Sequence, residues 1–459
     1  MIVIAGGGIS GLSAAWHLAR HGHCCTLIES SPRLGGVIGT ARWEGCILEA
    51  GPDSFLAAKP EALELVRELG LESELICSND HLRLTSIWKD NRLTPLPDGL
   101  AMMMIPTRVA PMIATPLLGW RTKLRMGLEY FRRPSGVRPD RSAAAFLEDH
   151  YGGEAVDFLA EPLLSGVYGG DVRSLSADSV LGRLVEIERA SGSLTRGLLN
   201  ARNSAPPPGP LFQTLKSGLG RLVETLIDRL GDRMRVIHAP VQAIEPAPAG
   251  WRVRAGAGWM DASRLILAAP AYSAASLLRP HDAELARLLE TVDYSSSITV
   301  ALVYRPGRIV KELKGFGFLV PRKTRRKLLA CTFVHNKFPH PAPPGFSVLR
   351  CFLGGAGSQR ILEESDEDLL AAVIQELGSI AGVTQTPDHW RIHRWPRAMP
   401  QYTVGHGWRC ARIKQRVAAL PNLSLAGNAY YGIGIPDCIR GGRLAAGSAL
   451  AASGVPLRP

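Results

Sequence analysis

The sequence predicts a mixed α/β fold in which a buried sheet is assembled from separated pieces of chain. Three observations predict it. The first thirty residues read strand, glycine turn, helix, strand, acid. Two more buried strands of the same kind appear far downstream: Leu265-Ile266-Leu267-Ala268-Ala269, stopping at Pro270, and Leu423-Ser424-Leu425-Ala426, running into Gly427-Asn428. Between these pieces lie a helical stretch and a strand-rich stretch. The composition agrees. Of 459 residues, 48 are Gly and 33 are Pro, which excludes one long helical bundle, and 46% hydrophobic with 20% charged residues excludes disorder.

Ile2-Val3-Ile4-Ala5 is a β-branched apolar run suited to a strand buried on both faces. Gly6-Gly7-Gly8-Ile9-Ser10-Gly11 then fits G-x-G-x-x-G. A helix follows from Leu12 to Arg20, closed by Gly22, and a second strand, Cys25 to Ile28, ends at Glu29. Glu29 stands 29 − 11 = 18 residues after Gly11, near the spacing of about 20 expected of an acid that meets a ribose. Gly6 permits the tight turn, Gly8 lets amides reach a pyrophosphate, and Gly11 lets helix pack on strand. The helix N-terminus with its unpaired N–H groups favours the negative charge. The unit predicts dinucleotide binding and does not by itself separate NAD from FAD.

Pro60 starts a helix, Glu61 to Leu69, that Gly70 ends. Thr85 to Leu96 reads as a hairpin turning at Asp90-Asn91. Residues 96 to 200 are mainly helical, and 201 to 210, ARNSAPPPGP, form a linker. A helix from Gly218 to Leu230 leads into short strands at Val236-Ile237, Val241-Ala243-Ile244 and Trp251 to Arg254. Ile298 to Val303 and Ser347 to Leu353 are strands, and a small-residue helix begins near Asp437.

Lys and Arg exceed Asp and Glu by 53 − 41 = 12. Such a basic surface suits nucleic acid, an anionic membrane face or an acidic small molecule, and composition does not choose among them. Eight cysteines show no C-x-x-C pair and no zinc spacing, and His17, His21, His23 and His406 form no recognisable metal set. No metal is expected. MIVIAGGG carries no basic leader and is expected to begin a fold, so the thiols are read as reduced and the protein as cytoplasmic.

The segment Ser30-Ser31-Pro32-Arg33-Leu34-Gly35-Gly36-Val37 after the acid resembles the flavoprotein amine oxidase superfamily, where it wraps FAD. Further motifs resemble the protoporphyrinogen oxidase family, including its coproporphyrinogen-oxidising bacterial branch. They are Glu49-Ala50-Gly51-Pro52-Asp53-Ser54-Phe55-Leu56, Ser165-Gly166-Val167-Tyr168-Gly169-Gly170-Asp171, Gly315-Phe316-Gly317-Phe318-Leu319-Val320-Pro321, Pro400-Gln401-Tyr402 and Gly432-Ile433-Gly434-Ile435. The similarity spans essentially the whole chain.

The resemblance implies an FAD enzyme of haem biosynthesis that oxidises a porphyrinogen to a porphyrin in three two-electron steps, with molecular oxygen as acceptor and no nucleic-acid partner. It implies an FAD-binding Rossmann-like domain at 1–85, 205–271 and 401–459, a β-rich substrate domain at 86–95 and 272–400, and a helical insertion at 96–204. FAD contacts fall on Gly6, Gly7, Gly8, Ile9, Ser10, Gly11, Glu29, Ser30, Arg33, Gly35, Gly36, Val37, Gly51, Pro52, Asp53, Ser54, Val241, Trp395, Gly427, Ile433, Gly434 and Ile435. Substrate contacts fall on Gly166, Tyr168, Gly169, Phe316, Phe318 and Leu319. No catalytic side chain is expected, because hydride leaves to flavin N5 and the protein's work is placement. Here the sequence departs from the family: where members often offer an Arg or Lys to a propionate, the corresponding hairpin has Thr85, with Arg83, Lys89 and Arg92 nearby and none of them assigned that role.

Two other readings remain: an amine oxidase or carotenoid desaturase of the same superfamily, and a non-catalytic flavin-stabilised porphyrin carrier. The stretch 96 to 133 combines Met102-Met103-Met104-Ile105, Met112-Ile113 and Leu117-Leu118 with Arg108, Arg121, Lys123, Arg125, Arg132 and Arg133. It suits either a shallow seat on an anionic membrane or the lining of an apolar cavity.

Overall fold

The computed structural model describes residues 1–102, 104–134, 136, 138–202, 209–309 and 311–451. Most of the linker expected at 201–210, and Met103, lie outside the described residues.

The glycine-turn unit builds a five-stranded parallel sheet in the order Met234–His238, Cys25–Glu29, Ile2–Ala5, Arg264–Leu267, Leu423–Leu425. Ile2–Ala5 is buried along its whole length because both faces are covered. On one face the helices Ile9–Arg20, Gly220–Leu230 and Ile435–Ala451 share a core with Leu12, Leu18, Leu27, Leu222, Leu226 and Ile439. On the other lie the antiparallel strands Val241–Ala247, Gly250–Ala255 and Gly258–Ala262, with the helices Ala271–Leu278 and Ala283–Glu290. The strand Gly258–Ala262 was not expected. Its residues are mostly exposed, so its pattern carries no buried stripe.

A seven-stranded sheet runs in the order His389–Pro400, Tyr294–Tyr304, Ser347–Gly354, Leu328–Phe333, Gly317–Leu319, Thr85–Lys89, Arg92–Pro95. The last two strands form the expected hairpin. Asp90 and Asn91 have φ of 49° and 57°, the left-handed pair of a two-residue turn that matches the twist of the strands. The helix Asp366–Ala381 covers this sheet with Leu369, Val373 and Leu377. Its start is capped by Ser365, whose hydroxyl accepts from the Asp368 amide at 3.1 Å.

The helical insertion packs Ala143–Tyr151, Glu161–Tyr168 and Gly182–Ser191 around Phe146, Leu147, Leu159 and Leu184. His150 is buried at its centre between Glu129 (2.8 Å) and Glu188 (3.2 Å). Glu129 also accepts from the Leu194 amide at 2.7 Å, so the helix Trp120–Glu129 is pinned by its inner face. Its outer face exposes Trp120 (71%), Leu124 (66%) and Leu128 (61%) at i, i+4, i+8 spacing, with Phe131 (73%) just beyond. The sequence drew attention to other residues. Met104, Ile105, Met112, Leu117 and Leu118 are buried in the insertion core, whereas Met102 and Ile113 are exposed. No helix among the described residues is long and apolar enough to cross a membrane.

Candidate cofactor and substrate site

The turn after Ile2–Ala5 leaves the sheet through Gly6, whose φ of +112° lies in the range that favours glycine. A Cβ on Gly11 would strike the Gly6 carbonyl, so the helix starts directly against the turn. Ile9–Arg20 has Gly8 as its N-cap, no side-chain cap and no acid in its first turn. Nothing lies within 4 Å of where a Gly8 Cβ would point. An uncapped helix start facing open space fits a bound pyrophosphate.

Glu29 ends the neighbouring strand, accepting from the amides of Gly7 (2.6 Å) and Ser31 (2.8 Å), and the Ser30 hydroxyl donates to it at 3.3 Å. Arg33 braces the following loop, donating to the carbonyls of Leu34 (3.1 Å), Gly36 (2.5 Å) and Ile38 (2.5 Å). The Gly35 amide donates to the Gly7 carbonyl at 2.8 Å, which lays Gly35, Gly36 and Val37 beside the glycine turn. Val241 opens its strand three residues after His238, which pairs with Glu29.

The segment Gly51-Pro52-Asp53-Ser54 abuts this loop, since a Cβ on Gly51 would strike the Val37 carbonyl. The preceding Ala50 carbonyl accepts from Trp395 Nε1 at 3.0 Å and from the Thr299 hydroxyl at 2.7 Å. Trp395 therefore reaches from the seven-stranded sheet to the segment that leads into Gly51. Asp53 meets Lys337 Nζ at 2.9 and 3.0 Å and Arg350 at 3.7 Å. Burial pushes the Asp53 carboxyl up, but the two cations outweigh it and hold it well below the usual carboxylate range. Beside it Glu49 accepts from the Leu219 amide (2.6 Å) and the Thr40 hydroxyl (2.7 Å), while burial pushes it up to about 7.

At the other end, Gly427 leads into the loop before the last helix, and Ile433, Gly434 and Ile435 stand at that helix's start. Asp437, buried in its first turn, pairs with Lys59 (2.5 Å) and Arg440 (2.8 Å). The helix Glu161–Tyr168 ends in Gly169, left-handed at φ +59°. This brings the Tyr168 ring to 6.2 Å from that of Tyr402, whose hydroxyl accepts from the Gly432 amide at 3.0 Å. Gly166 is exposed, with Leu319 Cδ2 3.8 Å from where its Cβ would be. Phe316 is buried next to Gly317. Phe318 is fully buried in the core between sheet and helix, edge-on to Phe333 at 6.1 Å, rather than along a cavity wall. Alternation along the strand turns neighbouring side chains to opposite faces.

Of the cations near the hairpin, Lys89 is engaged by the Leu117 carbonyl (2.7 Å) and Glu154 (3.2 Å), whereas Arg83 and Arg92 are exposed. In the basic run at 322–327, Lys323 pairs with Asp157 and Lys327 with Glu364.

The family model described as flavin containing amine oxidoreductase matches residues 9–450. The chain belongs to that family. Within this flavin amine oxidoreductase family it is 34% identical to coproporphyrinogen III oxidase of Bacillus subtilis, over 98% of this chain and 97% of the relative. It is 33% identical to protoporphyrinogen oxidase of Homo sapiens, over 98% of each chain. A solved structure from Exiguobacterium sp., provisionally assigned as a protoporphyrinogen oxidase, superposes with a TM-score of 0.87 at 33% identity, covering 97% of this chain and 98% of that one. A putrescine oxidase superposes at 0.72 with 18% identity, covering 98% of each chain, a likeness of fold. This flavin oxidoreductase takes FAD as its cofactor.

Lys337, Arg350 and Thr299 escaped the reading of the sequence. The one signal for Arg350 was a charge inside an otherwise buried strand, Val348-Leu349-Arg350-Cys351.

Proposed function

We propose that this flavin oxidoreductase oxidises a porphyrinogen, protoporphyrinogen IX or coproporphyrinogen III, to the porphyrin in haem biosynthesis, with oxygen as acceptor. The observation that carries the proposal is identity of 34% and 33% over 98% of the chain to a coproporphyrinogen III oxidase and a protoporphyrinogen oxidase. Bound FAD supplies the hydride acceptor. The chain's part is to hold and orient. The glycine turn and Glu29 take the adenosine diphosphate half. The loops carrying Arg33 and Val37, with 51–54, flank the middle of the cofactor. Trp395 and 433–435 border the ring system. Gly166, Tyr168 and Leu319 place the macrocycle and exclude water. The division into a cofactor domain (1–85, 205–271, 401–459), a substrate domain (86–95, 272–400) and a helical insertion (96–204) is part of the same reading.

The protein is also proposed to be cytoplasmic and to sit peripherally on an anionic membrane through Trp120, Leu124, Leu128 and Phe131. Arg121, exposed on the same helix, is placed to meet the headgroups, whereas Arg125 donates to the Glu148 and Asp149 carbonyls at 2.5 and 3.2 Å.

Side-by-side turnover of the two porphyrinogens, followed by porphyrin fluorescence, tests the activity. Growth of fluorescence with either one supports it. Peroxide release from amines, with no porphyrin formed, would replace it with an amine oxidase. Porphyrin binding with the flavin left oxidised under anaerobic substrate would leave a carrier.

A further inference from the structure

Gln401 and Tyr402 follow directly on the strand His389–Pro400, at the junction of both sheets and the helical insertion. Their side chains serve different neighbours. Gln401 Nε2 donates to the Tyr168 carbonyl at 2.9 Å and to the Ser295 hydroxyl at 3.0 Å. It thus grips the turn at 168–169, whose far side is held by the Ala356 amide donating to the Gly169 carbonyl at 2.8 Å. Tyr402 is buried, and its hydroxyl grips the loop before the last helix at both ends. It donates to the Asn428 carbonyl at 2.5 Å and accepts from the Gly432 amide at 3.0 Å.

The pair is itself anchored from behind. The Gln401 amide donates to the Asp293 carbonyl at 2.8 Å, and the Ser176 amide donates to the Tyr402 carbonyl at 2.7 Å. The Tyr402 ring stacks on His406, centroids 4.0 Å apart and planes 11° from parallel. Burial holds the phenol well above its ordinary pKa, so it stays a donor throughout the working range.

We propose that this adjacent pair positions the two halves of the site from one short segment, each residue holding its own half. Gln401 is a positioning residue for the substrate-side turn, and Tyr402 is a positioning residue for the cofactor-side loop that delivers 433–435. The inference rests on the reading that FAD borders 433–435 and a porphyrinogen borders the turn at 168–169. A glycine-bearing loop left free at both ends would not hold its amides to the few tenths of an ångström that a functional site needs. One hydroxyl fixes both ends at once.

Tyr402→Phe keeps the stacked ring and strips both loop ends of their partner. With both hydrogen bonds gone, FAD affinity of the apoprotein should fall about tenfold or more. The visible flavin spectrum should change while KM for the porphyrinogen stays as in the wild type. Gln401→Leu should do the converse, raising KM about tenfold at unchanged FAD affinity and spectrum. Melting of apo and holo forms separates positioning from bulk stability. For Tyr402→Phe the stabilisation added by FAD should shrink, whereas a merely structural residue would lower both melting points equally. Equal lowering, matching phenotypes in the two variants, or unchanged FAD affinity in Tyr402→Phe would each overturn this assignment. A wild-type protein that binds no FAD or oxidises no porphyrinogen would instead overturn the underlying reading of the site.

Discussion

Glu49 is a buried carboxyl with an amide and a hydroxyl for partners, placed beside Asp53 and two cations. Desolvation raises it to about 7, above its ordinary value of 4.5. Its contribution to stability is therefore complete at low pH and is lost as pH rises from about 4 to about 7. The change amounts to about 3 kcal/mol. Glu49→Gln should remove that slope, so the difference in unfolding free energy between variant and wild type, followed by urea melts across this range, should change by about that amount. A constant difference would mean that Glu49 is ionised throughout. Glu29→Ala should weaken FAD retention while leaving the fold intact, and a purified variant with full flavin content would remove Glu29 from the cofactor site. The place of Glu29 at a strand end was legible because a strand after a glycine turn is a local pattern. Lys337 and Arg350 were not, because the Asp53 they meet lies 284 residues away from Lys337 and no short-range spacing encodes such a pair.

At the scale of elements, the helix Glu161–Tyr168 ends where Gly169 turns left-handed, and a Cβ there would lie 2.9 Å from Ser295 Oγ and 3.0 Å from Met399 Sδ. Gly166, three residues earlier, has room for a Cβ. Gly169→Ala should cost about 1 kcal/mol or more and lower turnover, while Gly166→Ala should leave stability nearly unchanged. Thermal melts with steady-state kinetics on both variants check this, and equal effects would deny the turn its special role. The hairpin at 85–95 and the glycine turn were legible because turn chemistry and periodicity act within a dozen residues. The three-stranded sheet of Phe55–Leu56, Phe212–Leu215 and Leu75–Cys77 was not. Its strands are two to four residues long, and the pairing of Phe212 with Leu56 spans far more chain than any pattern can reach.

For the whole molecule, the apolar face of Trp120–Glu129 gives the membrane proposal its own test. Trp120→Ser with Leu124→Ser should abolish co-sedimentation with anionic vesicles and leave porphyrinogen turnover in detergent unchanged. High salt should weaken the wild-type binding in the same direction. Vesicle binding that survives both changes would place the contact elsewhere. The connectivity of the cofactor sheet has a consequence for how the chain is made. Its first helix donates from Ser13 to the Ile439 carbonyl, 426 residues downstream. At roughly 5–20 residues per second, a ribosome needs on the order of 20–80 s to deliver that partner. Throughout that interval the side of the nascent helix that meets Ile435–Ala451 stays uncovered, while its other neighbours are already made. The interval is a window for chaperone capture, and with FAD seated beside 433–435 as proposed, cofactor loading is expected to come last in synthesis rather than early.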